Sequence, residues 1–194
     1  MPEDSRPRRR GAAATRKAIL ESARKAFARS GYDGVGVREI AADAGCTAIL
    51  VNRYFGSKEQ LFQEVVVDAM NSAEVLRRDV FGDKDRARAL AEALVDRTAY
   101  GEPALEGLLI VLRALSNPAA TRTAREQIEN HHHRQLTDVV RGPHAAERAA
   151  LIVSVIVGFQ VMRQMYGIEA LASADPQVLT DLLTAQLEQL FLGD

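Results

Sequence analysis

The spacing Ala41-x3-Gly45-x5-Val51 constrains this chain more than any other feature. Val37, Ile40, Ala41 and Ala44 recur at helical intervals over barely two turns, and Gly45 then offers a left-handed end. A second short helix is expected from Thr47 to about Phe55. Helices this short and this tightly joined must cross closely. Ala41 therefore has to be small, Gly45 has to accept the turn, and Val51 has to plug the angle between the helices. This is a helix-turn-helix signature. Gly36 is expected to cap the first helix, with Glu39 at its third position, and Thr47 to cap the second.

The flanks extend the helical pattern. From Thr15, Ile19, Ala23, Ala26 and Phe27 mark one face of a helix that Gly31 can end. Ser57 and Gln60 form an S-x-x-Q box opening a fourth helix. Cys46, inside the turn, reads as a small apolar filler rather than a nucleophile. Residues 1–14 cluster Arg6, Arg8, Arg9 and Arg10 without apolar periodicity, and are expected to be a disordered basic arm.

The second helix of the motif raises a question of orientation. At about 100° per residue and with Val51 facing the core, Tyr54 and Phe55 lie on the inner side with Thr47 at its edge. Ile49 and Arg53 point away, with Asn52 and Leu50 on the flanks. A helix that needs only a core face and a solvated face has little use for an exposed Ile beside Asn and Arg. A groove-reading helix does: Arg can bond guanine, Asn can bond adenine, and an apolar tip can touch the thymine methyl. The plainer alternative packs Ile49 and Leu50 on a neighbouring helix and leaves Arg53 solvated. Charge points the same way as the groove reading. Residues 1–60 hold 12 Lys and Arg against 7 Asp and Glu, whereas the whole chain has a net charge of −1, so the basic end is the motif end.

On these residues the stretch TRKAILESARKAFARSGYDGVGVREIAADAGCTAILVNRYFGSKEQLF, about 15–62, resembles the DNA-binding domain of the TetR family of transcriptional regulators. The resemblance runs through Gly31-Tyr32, Ile40-Ala41, Ala44-Gly45 and Tyr54-Phe55-x-Ser57-Lys58-Glu59-x-Leu61. It implies that Arg38, Thr47, Ala48, Asn52, Arg53, Tyr54 and Lys58 meet DNA. Lys58 lies near the positive end of the fourth helix, a natural phosphate site, and the Tyr54 hydroxyl can reach a phosphate. These two position the protein, while Ile49, Asn52 and Arg53 are the candidates for reading bases. Three positions depart from the family pattern. Gly36 stands where a capping Thr or Ser is usual, Ile49 where a small residue is usual, and Asn52 where Tyr is usual.

Beyond Gln60 the breaks at Gly82-Asp83, Gly101-Glu102-Pro103, Asn117-Pro118, Gly142-Pro143 and Asp175-Pro176 predict helices near 58–81, 84–98, 103–116, 118–141, 144–166 and 176–191. The expected fold is all-α with about nine helices: an N-terminal helix-turn-helix domain over 15–60 and a helical ligand-binding and dimerisation domain over 61–194. One motif spans few base pairs, so specificity calls for a homodimer on two half-sites. Leu151, Val155 and Gly158, with Leu179, Leu183, Leu187 and Leu190, are the expected dimer face; the alternative is that this stripe is internal core. The resemblance also implies an effector pocket, for which Leu108, Leu112, Phe159, Met162, Arg163 and Tyr166 offer apolar walls and a few polar anchors suited to a hydrophobic small molecule.

Other chemistry finds little footing. His131, His132 and His133 are adjacent, and neighbours on a helix diverge by about 100°, so they are not expected to close on one metal ion. There is one cysteine, no phosphate loop and no nucleophile elbow, so neither a cofactor nor catalysis is expected. No apolar stretch is read as approaching the roughly 20 residues of a bilayer span, and a cytoplasmic protein is expected. The reading is a repressor on a pseudo-palindromic operator, released by an effector. Its rivals are a DNA-binding regulator that answers no ligand and, from another class, a metal-dependent enzyme using the His cluster.

Overall fold

The computed structural model describes residues 6–71, 85–99 and 106–193. The helices are α1 (Arg6–Ser30), α2 (Val37–Asp43), α3 (Ala48–Phe55), α4 (Lys58–Asn71), α5 (Arg86–Arg97), α6 (Glu106–Ala114), α7 (Pro118–Ile128), α8 (Arg134–Thr137), α9 (Ala145–Gln160), α10 (Glu169–Ala172) and α11 (Pro176–Leu192). π-helical turns follow α7 at Glu129–His133 and α9 at Val161–Met165. Among the described residues there is no strand, and nine α-helices have seven or more residues, as expected. The β-branched run 150–159 is helical because its pattern continues past any strand length.

The chain forms two compact units, residues 1–69 with 106–125, and 70–105 with 126–194. The first unit reaches well past the expected boundary at Gln60. Its core holds Ile19, Ala23, Phe27, Ile40, Val51, Phe55, Leu61, Phe62 and Val65, all nearly inaccessible to water. Phe27, Tyr32 and Phe62 form an aromatic triad, with ring centroids 5.1 Å apart for Phe27–Phe62 and for Tyr32–Phe62. Helix α6 joins this unit through specific polar contacts. Arg24 pairs with Glu106 at 2.7 Å, and Asn117 donates to the Asp33 carboxylate at 2.9 Å while its own carbonyl accepts from Ala119 and Ala120 at the start of α7. No periodicity argument sees contacts between residues this far apart in sequence.

The second unit packs α5, α9 and α11 about Leu90, Leu94, Ile152, Ile156, Leu183 and Leu187. Asp175 caps α11, accepting from Gln177 N–H at 2.7 Å, with Pro176 in the first turn as predicted. Pro143 does not open α9. His144, at φ 57°, intervenes as its N-cap and the helix starts at Ala145. The breaks at 82–83 and 101–103, and the predicted helical stretch 72–81, lie outside the described residues.

Two further expectations are corrected. Residues 6–14 are helix, not arm: α1 starts at Arg6, since Ala12, Ala13, Ala14 and the arginines are strong helix formers and Pro7 sits in the first turn, where a missing N–H costs nothing. Thr15 Oγ1 bonds back to Gly11 O at 2.9 Å. The stretch Ala145–Met165 is long and apolar enough, at mean hydropathy 1.6, to meet the length and composition of a membrane span, because charges are confined to its ends at Glu147, Arg148 and Arg163. Its Ala149, Ile152 and Ile156 face the core of the second unit, which accounts for apolar character on that side.

Candidate nucleic-acid interface

Helix α2 is tied down from α1 by Ser22 Oγ, which donates to Ile40 O at 3.0 Å, and by the Arg29–Glu39 pair at 3.1 Å. The turn that follows is closed by its own backbone. Gly45 adopts φ 66°, its N–H donates to Ala42 O at 3.0 Å, and Cys46 N–H donates to Ala41 O at 2.9 Å. A left-handed residue is required here, and glycine adopts it without a Cβ penalty. Cys46 is only half-buried, so its backbone contributes more to the turn than the expected filling by its side chain.

Helix α3 is two-sided. Val51 and Phe55, 1% and 4% exposed, anchor it to the core, while Ile49 is 79% exposed and Asn52 and Arg53 are exposed beside it. Leu50, Ala48 and Tyr54 are half-buried. The outward placement of Ile49, Asn52 and Arg53 agrees with the periodicity, and no neighbouring helix covers Ile49. Thr47 is exposed rather than at the edge of the core, and its side chain makes no cap bond; its carbonyl accepts from Leu50 N–H at 2.9 Å instead. The cap residue lies outside the helical repeat, so the 100° rule does not fix its direction.

Two neighbours of α3 were not legible in the sequence. Arg16 of α1 lies over the Phe55 ring at 4.7 Å and pairs with Glu64, fixing the last turn of α3. Tyr32 seats Lys58, whose Nζ stands 4.5 Å from the ring centroid. Burial, then Glu59 and Asp33, push the Tyr32 phenol up from its ordinary value. Arg38 is exposed in the first turn of α2. Its cap, Gly36, is extended at φ −101° with open space where a side chain would stand. Arg38, Ile49, Asn52 and Arg53 are each exposed, and the eight residues of α3 include Arg53 but no acidic residue, whereas α2 carries Glu39 and Asp43 beside Arg38.

A sequence model described as bacterial regulatory proteins, tetR family, matches residues 19–65, and a second, the tetracyclin repressor-like C-terminal domain, matches 84–191, more than half of the chain. The chain belongs to the TetR family. Among curated relatives, the HTH-type transcriptional regulator BetI of Agrobacterium fabrum is 35% identical over 79 residues, 41% of this chain and 37% of BetI. The HTH-type transcriptional repressor AcnR of Corynebacterium glutamicum is 40% identical over 63 residues, 32% of this chain and 34% of AcnR. The matched region thus spans about a third of those relatives. A TetR-family regulator from Streptomyces coelicolor superposes with TM-score 0.60 at 26% identity, covering 97% of this chain and 99% of that one. The multidrug binding protein EbrR, complexed with malachite green, shares the fold at TM-score 0.63 and 20% identity, covering 91% and 97%. These proteins are described as a transcriptional regulator, a transcriptional repressor and a multidrug binding protein.

The remaining candidate residues divide between the units. Leu108 is buried and Leu112 half-buried in α6 of the first. Phe159, Met162, Arg163 and Tyr166 belong to the second, where Met162 and Tyr166 are exposed rather than walls of an enclosed space. The π-helical turn over 161–165 adds a residue to the helical register, which a 3.6-residue period does not anticipate. Arg163 is buried and engaged: it donates to Val95 O at 2.6 Å, Thr98 Oγ1 at 3.3 Å and Leu171 O at 3.1 Å, and burial lowers its pKa against the pull of Asp96. It ties the end of α5 to α10, a structural joint in place of the expected free anchor. The dimer candidates also split. Leu179, Leu183 and Leu187 are at most 7% exposed inside the unit's own core, which corrects their assignment to a partner surface. Leu151 is 52% exposed, Val155 and Leu190 are half-buried, and a Cβ on Gly158 would meet no atom within 4 Å. His133 shares a hydrogen bond with Ala146 O at 2.8 Å.

Proposed function

We propose that this protein is a sequence-specific, homodimeric DNA-binding regulator, a repressor that leaves a pseudo-palindromic operator when a small hydrophobic effector binds, and that it acts in the cytoplasm, where the operator is. The observation that carries the reading is α3 itself: a helix held to its domain by Val51 and Phe55 that presents Ile49, Asn52 and Arg53 to solvent. Arg53 and Asn52 supply the hydrogen-bonding groups for guanine and adenine, Arg38, Thr47 and Tyr54 the flanking backbone contacts, and Lys58 a cation at the start of α4. Ala48 is small enough to let the start of α3 approach the groove.

The dimer is proposed on the outer faces of α9 and α11, with Leu151, Val155 and Gly158 contributed by α9 and Val178 and Leu182, 52% and 66% exposed, by α11. Glycine at 158 lets two helices approach closely, the effect known from membrane helix pairs. An effector response is supported by the family and by EbrR, a multidrug binding protein complexed with a dye. The effector acts only through a difference in affinity between two arrangements of the DNA heads.

Binding-site selection from random duplex DNA at two salt concentrations tests the proposal. The expected result is a two-fold symmetric motif with half-sites about one helical turn apart. Recovery of no motif, with binding lost at the higher salt, would reduce the surface to a phosphate-gripping patch and end the proposal.

A further inference from the structure

Resting on the operator reading above, we infer that Ile49 reads a thymine by its C5-methyl group, and that this thymine lies within about two base pairs of the base bonded by Arg53. Ile49 is the most exposed large apolar side chain among the described residues, at 79%. Neither packing nor helix formation explains it there. A β-branched residue is a weaker helix former than Ala or Leu, and Ile49 covers none of the core that Val51 and Phe55 fill. The surroundings select what it touches. Arg53 is exposed one helical turn on along α3, Asn52 is exposed beside it, and no acidic residue lies in α3. Such a surface suits a polyanion better than the apolar face of another protein. In the major groove of a polyanionic duplex, the apolar group on offer at a base edge is the thymine methyl.

The register follows from the helix. Ile49 is the second residue of α3, at the end that recognition helices direct to base edges, and Arg53 stands four residues on, on the same face. Four residues advance about 6 Å along a helix axis, close to two steps of about 3.4 Å along the duplex. A methyl contact at one pair and a guanine contact one or two pairs away therefore form one recognition unit in each half-site.

The test replaces each thymine of the selected operator in turn, in both half-sites, by uracil, which removes the methyl and leaves base pairing intact. Affinities are measured for the wild type and for Ile49→Ala, with Ile49→Thr as a second variant that keeps the branched shape. At one thymine per half-site, uracil should weaken the wild type about four-fold per half-site, about fifteen-fold for the symmetric pair, the equivalent of one buried methyl group each. Ile49→Ala should bind the thymine and uracil operators alike. If the wild type binds its operator specifically and no uracil position loses its effect in Ile49→Ala, the methyl contact is wrong and the operator reading stands. If the sensitive thymine lies more than two pairs from the guanine whose replacement is tolerated by Arg53→Ala, the register is wrong. A wild type that binds no operator overturns both. A dimer that binds DNA unchanged by either variant but loses a bound protein would assign Ile49 to a protein partner instead.

Discussion

Arg53 and Lys58 lie five positions apart in sequence and are asked to do different work. Arg53 is solvent-exposed on α3. If it bonds a base, Arg53→Ala costs about 1–3 kcal/mol on the operator and relaxes preference at one base pair per half-site. Lys58 stands over Tyr32 at the start of α4. Lys58→Ala should weaken binding to all sequences alike and flatten the dependence on salt. Titrations of both variants against operator and scrambled duplex check the division, and identical behaviour would refute it. Tyr32 carries a pH signature. Burial and nearby carboxylates raise its pKa above the unfolded value of 10.0, so its contribution is intact below that value and is lost as pH rises through the folded pKa. Thermal unfolding should show a fall in stability above about pH 10 that is reduced in Tyr32→Phe.

At the scale of elements, α2 is the weak point of the motif: seven residues with a glycine cap and no side-chain cap bond. Gly36 has an extended backbone and open space about its missing Cβ. Gly36→Ser should therefore stabilise the protein by about 0.5 kcal/mol, by capping α2 and narrowing the unfolded ensemble. Denaturant titration reads this, and a lower midpoint would mean that the approach to α2 is more crowded than the fold shows. The short helices α2 and α3 were legible because their glycine and apolar spacing is local. The continuation of α1 to Arg6 was not, because a charge-rich stretch without apolar period reads as disorder even when its residues favour helix. The π-helical turns were also hidden, since an inserted residue leaves no mark in composition.

For the whole molecule, the decisive question is which leucines the protein keeps for itself. Leu182, 66% exposed on α11, is free to meet a partner. Leu182→Glu should leave the fold intact, shift the protein toward monomer in sedimentation, and lower operator affinity more than single half-site affinity. Loss of folding, or an unchanged sedimentation coefficient, would move the dimer face elsewhere. Leu183, one residue on, belongs to the core with Leu90 and Leu94; Leu183→Ala should instead cost about 2–5 kcal/mol of stability. Adjacent residues on one helix thus separate assembly from folding.

The sequence by itself determined the helix-turn-helix, the outward set Ile49, Asn52 and Arg53, the family resemblance and the all-α class. Each depends on spacing within one or two turns, where a helix maps sequence directly onto direction. Only the tertiary structure decided that Leu179, Leu183 and Leu187 are core, that Arg163 is held by the carbonyls of Val95 and Leu171, that residues 106–125 join the first unit, and that Lys58 rests on Tyr32. An apolar stripe or a basic side chain states what it can pair with. Which partner it takes depends on contacts between residues far apart in the chain, and periodicity carries no record of those.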